Sequence, residues 1–185
     1  GPVYGIRATG SIAGAAGSVT VSRATTSTGT VAVAGAAYDA YDAKIEIRST
    51  GALGVATFRY SLDNGTTYSP DTIVPSGGTY VLANSNLTLT FTAGGGPIIF
   101  EKGDTFTFTC TAPSFSTTDL AAAITSFKTQ NVSVSEIVLS GKFATGSAAA
   151  TMAAAMVVHA SSLFQMYQPI RFLMDAGAED AATTK

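Results

Sequence analysis

Few residues of this chain could act together as nucleophiles, bases or metal ligands. It has one cysteine, Cys110, and one histidine, His159. Single copies exclude an intramolecular disulfide, a cysteine-based zinc site and a multi-histidine metal site. His159 falls inside a predicted helix where no neighbouring spacing supplies an acid, so a nucleophile–histidine pair is not predicted. Cys110 alternates with Phe106 and Phe108 on one side of a predicted strand, and we expect it to be a small buried hydrophobe.

Two other patterns have the residue types for ligand binding but not the spacing. Asp39 and Asp42, with turn carbonyls, would supply only part of the roughly six to eight oxygens that Ca²⁺ takes. Residues 141–147, Gly-Lys-Phe-Ala-Thr-Gly-Ser, lie between a predicted strand and a predicted helix, but match neither the P-loop nor the dinucleotide-binding glycine spacing. We therefore predict no catalytic residue, no metal ligand and no cofactor, and expect a protein that is not an enzyme.

Aromatic side chains offer one further kind of site. Exposed rings at Tyr60 and Tyr68 would suit a glycan or a single nucleic-acid strand. The chain has no Trp and only 10 Lys and Arg residues to form a basic groove beside them. Packing in a core or in an interface is therefore the favoured interpretation of both rings.

The composition limits the partners. Charged residues make up 12 %, with 10 Lys and Arg against 12 Asp and Glu, so there is no positive excess to bind nucleic acid. The hydrophobic fraction of 46 % and the net charge of −2 are not typical of disorder. A free soluble domain carries about 25 % charged residues, and low charge favours association. The sequence thus predicts a subunit of an assembly. No apolar run reaches the roughly 18 residues of a membrane span, so none is expected.

From residue 18 to residue 112 the sequence pattern has period 2, which is typical of β-strands. Turn sequences such as Asp63-Asn64-Gly65 separate the strands, since Asn and Gly tolerate the positive φ of tight hairpins. Short strands between such turns predict an antiparallel β-sandwich or a small barrel. The predicted strands are 18–22, 30–34, 43–49, 56–62, 79–82, 87–93 and 105–112.

From about residue 117 the pattern changes to helix, strand, helix, strand. One of residues 116–119 is expected to cap the first helix. The predicted strands 132–139 and 170–174 flank a long helix, 147–167, and this spacing favours a parallel pair. The second of these strands is apolar throughout, so we expect it to be buried on both faces. The apolar faces of the two helices are Leu120, Ala123, Ile124 and Phe127, and Met152, Met156, Ala160, Leu163 and Tyr167.

The two patterns define the fold class as α+β. A β-rich module occupies residues 1–113, and an α/β segment occupies residues 114–185.

An ordered series of short sequences extends through both regions. Ile-Glu-Ile stands at 45–47, Gly-Ala-Leu-Gly at 51–54 and Phe-Arg-Tyr-Ser-Leu-Asp-Asn-Gly at 58–65. Gly-Thr-Tyr follows at 78–80, Leu-Thr-Leu-Thr-Phe at 87–91, Gly-Asp-Thr-Phe-Thr-Phe at 103–108, Ala-Pro at 112–113 and Thr-Thr-Asp-Leu-Ala-Ala-Ala at 117–123. Over residues 30–175 this order resembles the β-module and following α/β segment of contractile bacteriophage tail sheath proteins.

The resemblance implies a structural subunit that assembles into helical hexameric layers around a tail tube and contracts to drive injection. It implies self-association, contacts with tail tube and baseplate proteins, and a place in the virion tail after synthesis in the host bacterial cytoplasm. Sheath proteins are usually longer, and neither a donor strand nor a C-terminal arm is identifiable, so we interpret the chain as a fragment or a minimal version. Two alternatives stay open: another virion protein of the tube, baseplate or decoration type, and a host-surface or glycan-binding adhesin domain.

Overall fold

The computed structural model describes residues 10–129, 136–139, 146–167 and 171–174. These residues divide into two compact units. The first is Gly14–Pro113, and the second consists of the described residues of Gly1–Ala13 and Ser114–Lys185. The described chain is a β-dominated α+β protein with antiparallel sheets in the first unit and two helices in the second.

The first unit contains two antiparallel sheets. The larger has the strand order β1-β9-β4-β5-β6, with β2 also paired to β9, and the smaller has the order β3-β8-β7. The strands are β1 (Ala15–Ala16), β2 (Thr20–Ser22), β3 (Thr30–Ala34), β4 (Asp42–Ser49), β5 (Thr57–Ser61), β6 (Thr72–Ile73), β7 (Thr79–Leu82), β8 (Leu87–Thr92) and β9 (Thr105–Thr111). All seven strands predicted within residues 18–112 are present, with ends that differ by two residues at most, and β1 and β6 are additional.

Alternation along the strands builds the core of this unit. Ile45 on β4 lies opposite Phe106 on β9, and both are fully buried. Phe108 and Cys110 follow on the same side of β9 and are also buried, which confirms the expectation for Cys110. From the smaller sheet, Phe91 approaches within 4.8 Å of Phe58 of the larger sheet, measured between ring centroids. Residues of both sheets thus share one hydrophobic cluster.

The turn predicted at residues 63–65 is confirmed. Asn64 and Gly65 have φ values of 56° and 89°, in the left-handed region that these residue types tolerate. Asp63 holds the turn closed, because its Oδ1 accepts a hydrogen bond of 2.8 Å from the backbone N–H of Thr67. A second acidic turn residue, Asp104, is fully buried and accepts hydrogen bonds from the N–H groups of Ala24 and Glu101, both at 2.9 Å.

The second unit follows the predicted order of helix, strand, helix and strand. Its elements are α1 (Thr117–Thr129), β10 (Glu136–Leu139), α2 (Gly146–Tyr167) and β11 (Arg171–Met174). The strands β10 and β11 pair in parallel, as the strand–helix–strand spacing predicts. The remainder of the predicted strand 132–139 lies outside the described residues.

The two helices of this unit pack through the predicted faces. Leu120, Ile124 and Phe127 of α1 are buried and form one cluster with residues of α2. The α2 residues of the cluster are Met152, Met156 and Leu163. Ala123 and Ala160 are half-buried, and the side chain of Tyr167 is not among those that the structure describes. The cap of α1 is Ser116, whose Oγ accepts a hydrogen bond of 3.2 Å from the N–H of Asp119.

Candidate functional site

The residues with reactive or ligating side chains are divided between the two units. Cys110 is buried in the first unit, whereas His159 is half-buried on α2 of the second. Asp39 Oδ1 accepts a hydrogen bond of 2.8 Å from the adjacent N–H of Ala40, and Asp42 begins β4. Across the described ranges, no three His, Cys, Asp or Glu side chains form a group that could hold a metal ion.

The glycine-containing segment at residues 141–147 falls largely outside the described residues. Gly146 and Ser147 are described, and they form the first turn of α2. The helix predicted over 147–167 thus begins one residue earlier, and the last two positions of the segment lie within it. The rest of the segment stays a prediction.

The two candidate platform tyrosines make packing contacts. Tyr60 is half-buried, and its ring lies 6.0 Å from that of Tyr80 in an edge-to-face arrangement. Tyr68 is also half-buried, and the guanidinium of Arg59 lies 3.9 Å from its ring centroid. One face of Tyr68 is thus occupied by a cation, which suits packing better than ligand stacking.

The outer surface of β4 and β5 carries a charged cluster that the sequence analysis missed. Glu46 Oε2 accepts hydrogen bonds of 2.9 and 2.7 Å from Arg59, and Glu46 Oε1 accepts one of 3.1 Å from Arg48. Burial alone would raise the pKa of Glu46, but the two arginines outweigh it and lower that pKa. Asp71 adds a weaker contact, 3.7 Å from Arg48 Nε. The charges compensate one another within the cluster, so it stabilises the sheet surface rather than attracting an external ion.

The alternation of apolar and charged residues at 44–48 predicts part of this cluster. Ile45 and Ile47 point into the core. Lys44, Glu46 and Arg48 alternate with them along the strand and must therefore share the other face. Sequence alone does not show that Arg59 lies opposite Glu46, because that pairing depends on the register of β4 and β5.

The outer surface of the smaller sheet has a different character, and we call it the threonine face. Its positions alternate with buried residues such as Val31, Leu89 and Phe91. None of its side chains is charged, and Val81 among them is 65 % exposed. The threonine face consists of Thr30, Ala32, Ala34, Thr79, Val81, Thr88, Thr90 and Thr92.

The second unit exposes apolar side chains on a small sheet. Val138 of β10 and Leu173 of β11 are direct partners in the parallel register and are 60 % and 50 % exposed. In the part of the chain that the structure describes, β10 and β11 pair only with each other. On α2 of the same unit, Val157 and Val158 are 67 % and 69 % exposed. The apolar pattern of the second strand predicts burial on both faces, so the exposure of Leu173 corrects that expectation.

Comparison with protein-family models, curated proteins and solved structures finds no match. Neither helix among the described residues has the length and hydropathy needed to cross a membrane. The structure therefore defines the chain by class, as a β-dominated α+β protein with uncharged and apolar exposed surfaces.

Proposed function

We propose that this chain is a structural subunit of a contractile bacteriophage tail sheath. In this role, copies of the chain assemble into helical hexameric layers around a tail tube and contract together to drive injection. The subunit acts without catalysis, contacts tail tube and baseplate proteins, and is part of the virion tail after synthesis in the bacterial cytoplasm. The series of sequences along residues 30–175 supports the family, and surface features support self-association.

The observation that carries the proposal is the exposed pair Val138 and Leu173. Parallel strands are normally covered on both faces, because a pair exposed to water leaves apolar area unburied. Here the two side chains are cross-strand partners, and each is at least half exposed. Burying apolar area contributes roughly 25 cal/mol per Å², so contact with another subunit at this sheet would be favourable.

The threonine face and the low charge of the chain are compatible with the same role. In a helical array, each subunit meets several copies of itself, and like charges brought close together would oppose assembly. An exposed face with eight uncharged positions avoids this cost. A total of 12 % charged residues has the same effect over the whole chain.

We also infer that the two sheets of the first unit form a β-sandwich. Phe58 of the larger sheet contacts Phe91 and Tyr80 of the smaller one, with ring centroids 4.8 and 5.0 Å apart. Such contacts between inward faces are typical of two sheets packed face to face. A rigid sandwich would let a subunit keep its fold while its contacts with neighbouring copies change.

Electron microscopy of the purified chain over a range of concentrations tests the proposal. We expect rings or hollow tubes of wide bore, built from repeating copies. The variant Leu173→Lys places a charge in the exposed apolar pair, and it should shift assembly to a higher protein concentration. Val55→Lys is the matched control, because Val55 is 64 % exposed but belongs neither to the exposed pair nor to the threonine face.

Three results would contradict the proposal. A chain that stays monomeric at every concentration and binds glycans or cells would support the adhesin alternative. Tubes too narrow to surround a tail tube would support a tube protein. Equal assembly of Leu173→Lys, Val55→Lys and the unmodified chain would remove the exposed pair as its basis.

A further inference from the structure

The turn between β5 and β6 contains an Asn-Gly sequence, Asn64-Gly65, on the protein surface. Asn64 is exposed. In an Asn-Gly pair, the backbone nitrogen of Gly attacks the side-chain amide of Asn readily, because Gly has no side chain to obstruct the approach. The reaction requires that this nitrogen lose its proton and move toward the side-chain carbon. The surroundings of the Gly65 N–H therefore decide how fast it proceeds.

In this structure the Gly65 N–H donates a hydrogen bond of 2.8 Å to Ser61 Oγ. Ser61 is buried, with 2 % of its surface exposed. Its own hydroxyl proton is donated to Asp63 Oδ1 at 2.6 Å, and its Oγ also accepts the N–H of Asp63 at 3.2 Å. A hydroxyl has one proton and two lone pairs, so all three are in use.

This arrangement opposes deprotonation of Gly65. If the nitrogen lost its proton, it would face a lone pair of Ser61 Oγ, and the hydroxyl could turn to donate only by leaving the Asp63 carboxylate. Asp63 is ionised at neutral pH, since hydrogen bonds from Ser61 and Thr67 lower its pKa to about 2. The backbone is restrained as well, because the Asn64 N–H donates to the carbonyl oxygen of Asp42 at 2.7 Å.

We propose that Asn64-Gly65 is a site of spontaneous covalent modification by deamidation, and that Ser61 and Asp63 keep the reaction slow while the turn is closed. This inference is independent of the assembly proposed above. The site lies in the first unit, and its chemistry is the same whatever the protein assembles with.

Opening of the turn frees the Gly65 nitrogen to react. This nitrogen forms a bond to Asn64 Cγ, the bond from Cγ to Nδ2 breaks, and the Gly65 amide proton leaves with Nδ2 as ammonia. The product is a cyclic imide. Water then opens the ring at either carbonyl, which gives aspartate or isoaspartate at position 64.

The test is incubation of the full chain at mildly alkaline pH, followed by peptide mapping and mass spectrometry of residue 64. The unmodified protein should deamidate slowly when folded and faster when unfolded in urea. Asp63→Ala removes the acceptor that fixes the Ser61 hydroxyl. It should accelerate deamidation in the folded protein by about tenfold, the ratio expected for loss of a hydrogen bond to a charged group.

A matched control separates this local effect from general unfolding. Val31→Ala changes a buried residue of the smaller sheet in the same unit, away from the turn. Each variant is incubated at the urea concentration that gives the same unfolded fraction, and the deamidation rates of the two are compared. Faster deamidation of Asp63→Ala alone supports the proposal. Equal rates in the two variants, or equal rates in the folded and unfolded unmodified chain, would overturn it.

Discussion

Ser11 and Asp119 are 108 positions apart in the sequence and are joined by two hydrogen bonds. The Oγ of Ser11 donates to Asp119 Oδ2 at 2.6 Å, and the N–H of Ser11 donates to the same oxygen at 3.1 Å. The N–H and Oγ of Ser116 donate to it as well, at 2.7 and 2.9 Å. One carboxylate oxygen thus connects the start of the described chain to the N-terminus of α1. Ile12 and Ser114 reinforce the connection through a pair of backbone hydrogen bonds.

The hydrogen bonds to Asp119 predict how acid should affect the stability of the second unit. The hydrogen bonds from Ser11, and then those from Ser116, lower the pKa of Asp119 to about 2 from its ordinary 3.8. A lowered pKa means that the stabilisation is complete above the ordinary value and is lost as the pH falls toward about 2. Asp119→Asn should therefore lower the melting temperature at neutral pH. The difference from the unmodified chain should shrink in strong acid, and circular dichroism melts measure it.

Two further variants test the role of Asp119 in this prediction. Ser11→Ala removes one of the donors and should act in the same direction with a smaller effect. Thr118→Ala changes an exposed residue in the same helical turn and should leave the melting temperature almost unchanged. A difference between Asp119→Asn and the unmodified chain that is as large in strong acid as at neutral pH would contradict the assigned role.

The aromatic contacts of Phe58 give a second prediction. This side chain is fully buried and contacts Tyr80 edge-on as well as Phe91. Phe58→Ala should lower the free energy of unfolding by about 3–5 kcal/mol, because it removes buried area and leaves a cavity. Tyr38→Ala is the control, since Tyr38 is 65 % exposed, and should change it by less than about 0.5 kcal/mol. Urea unfolding followed by circular dichroism provides both values.

The strands that the sequence predicts are those with enough residues to show a pattern. In β9 seven residues alternate between threonine and an apolar residue, so both its existence and its buried face follow from the sequence. β1 and β6 have two residues each, too few for alternation to be visible. They form because backbone groups of Ala15 and Thr72 lie beside longer strands, and this proximity depends on the tertiary structure.

The candidate surfaces were predictable to a smaller extent. The threonine face follows from alternation in β3, β7 and β8, but their adjacency in one sheet does not. The hydrogen bonds at Asp119 require two distant segments to meet, and no local pattern around Ser11 indicates them. Leu173 lies in a short, fully apolar strand that resembles a covered one, and its exposure is evident only from the sheet in which it pairs.

At Gly35 the backbone lies close to the backbone of Asn86. Its φ is 124°, and a Cβ added there would lie 2.1 Å from the carbonyl oxygen of Asn86. Gly35→Ala should destabilise the first unit by more than about 1 kcal/mol, because both the backbone angle and the neighbouring carbonyl oppose the new methyl group. Gly95→Ala is the matched control, since a Cβ added at Gly95 would have open space around it, with nothing beyond its chain neighbours within 4 Å. Urea unfolding compares the two variants, and comparable losses of stability would contradict this argument.

The reactivity of Cys110 reports on the opening of the first unit. Cys110 is 6 % exposed, and burial raises the pKa of its thiol, so little of the reactive thiolate is available in the folded protein at about pH 8. We expect a thiol reagent to label native Cys110 slowly and the urea-unfolded chain rapidly. Phe58→Ala should accelerate native labelling by about 100-fold or more, the ratio for a loss of about 3 kcal/mol, if labelling requires opening of the shared core. Rapid labelling of the unmodified native chain would instead show that Cys110 is accessible without that opening.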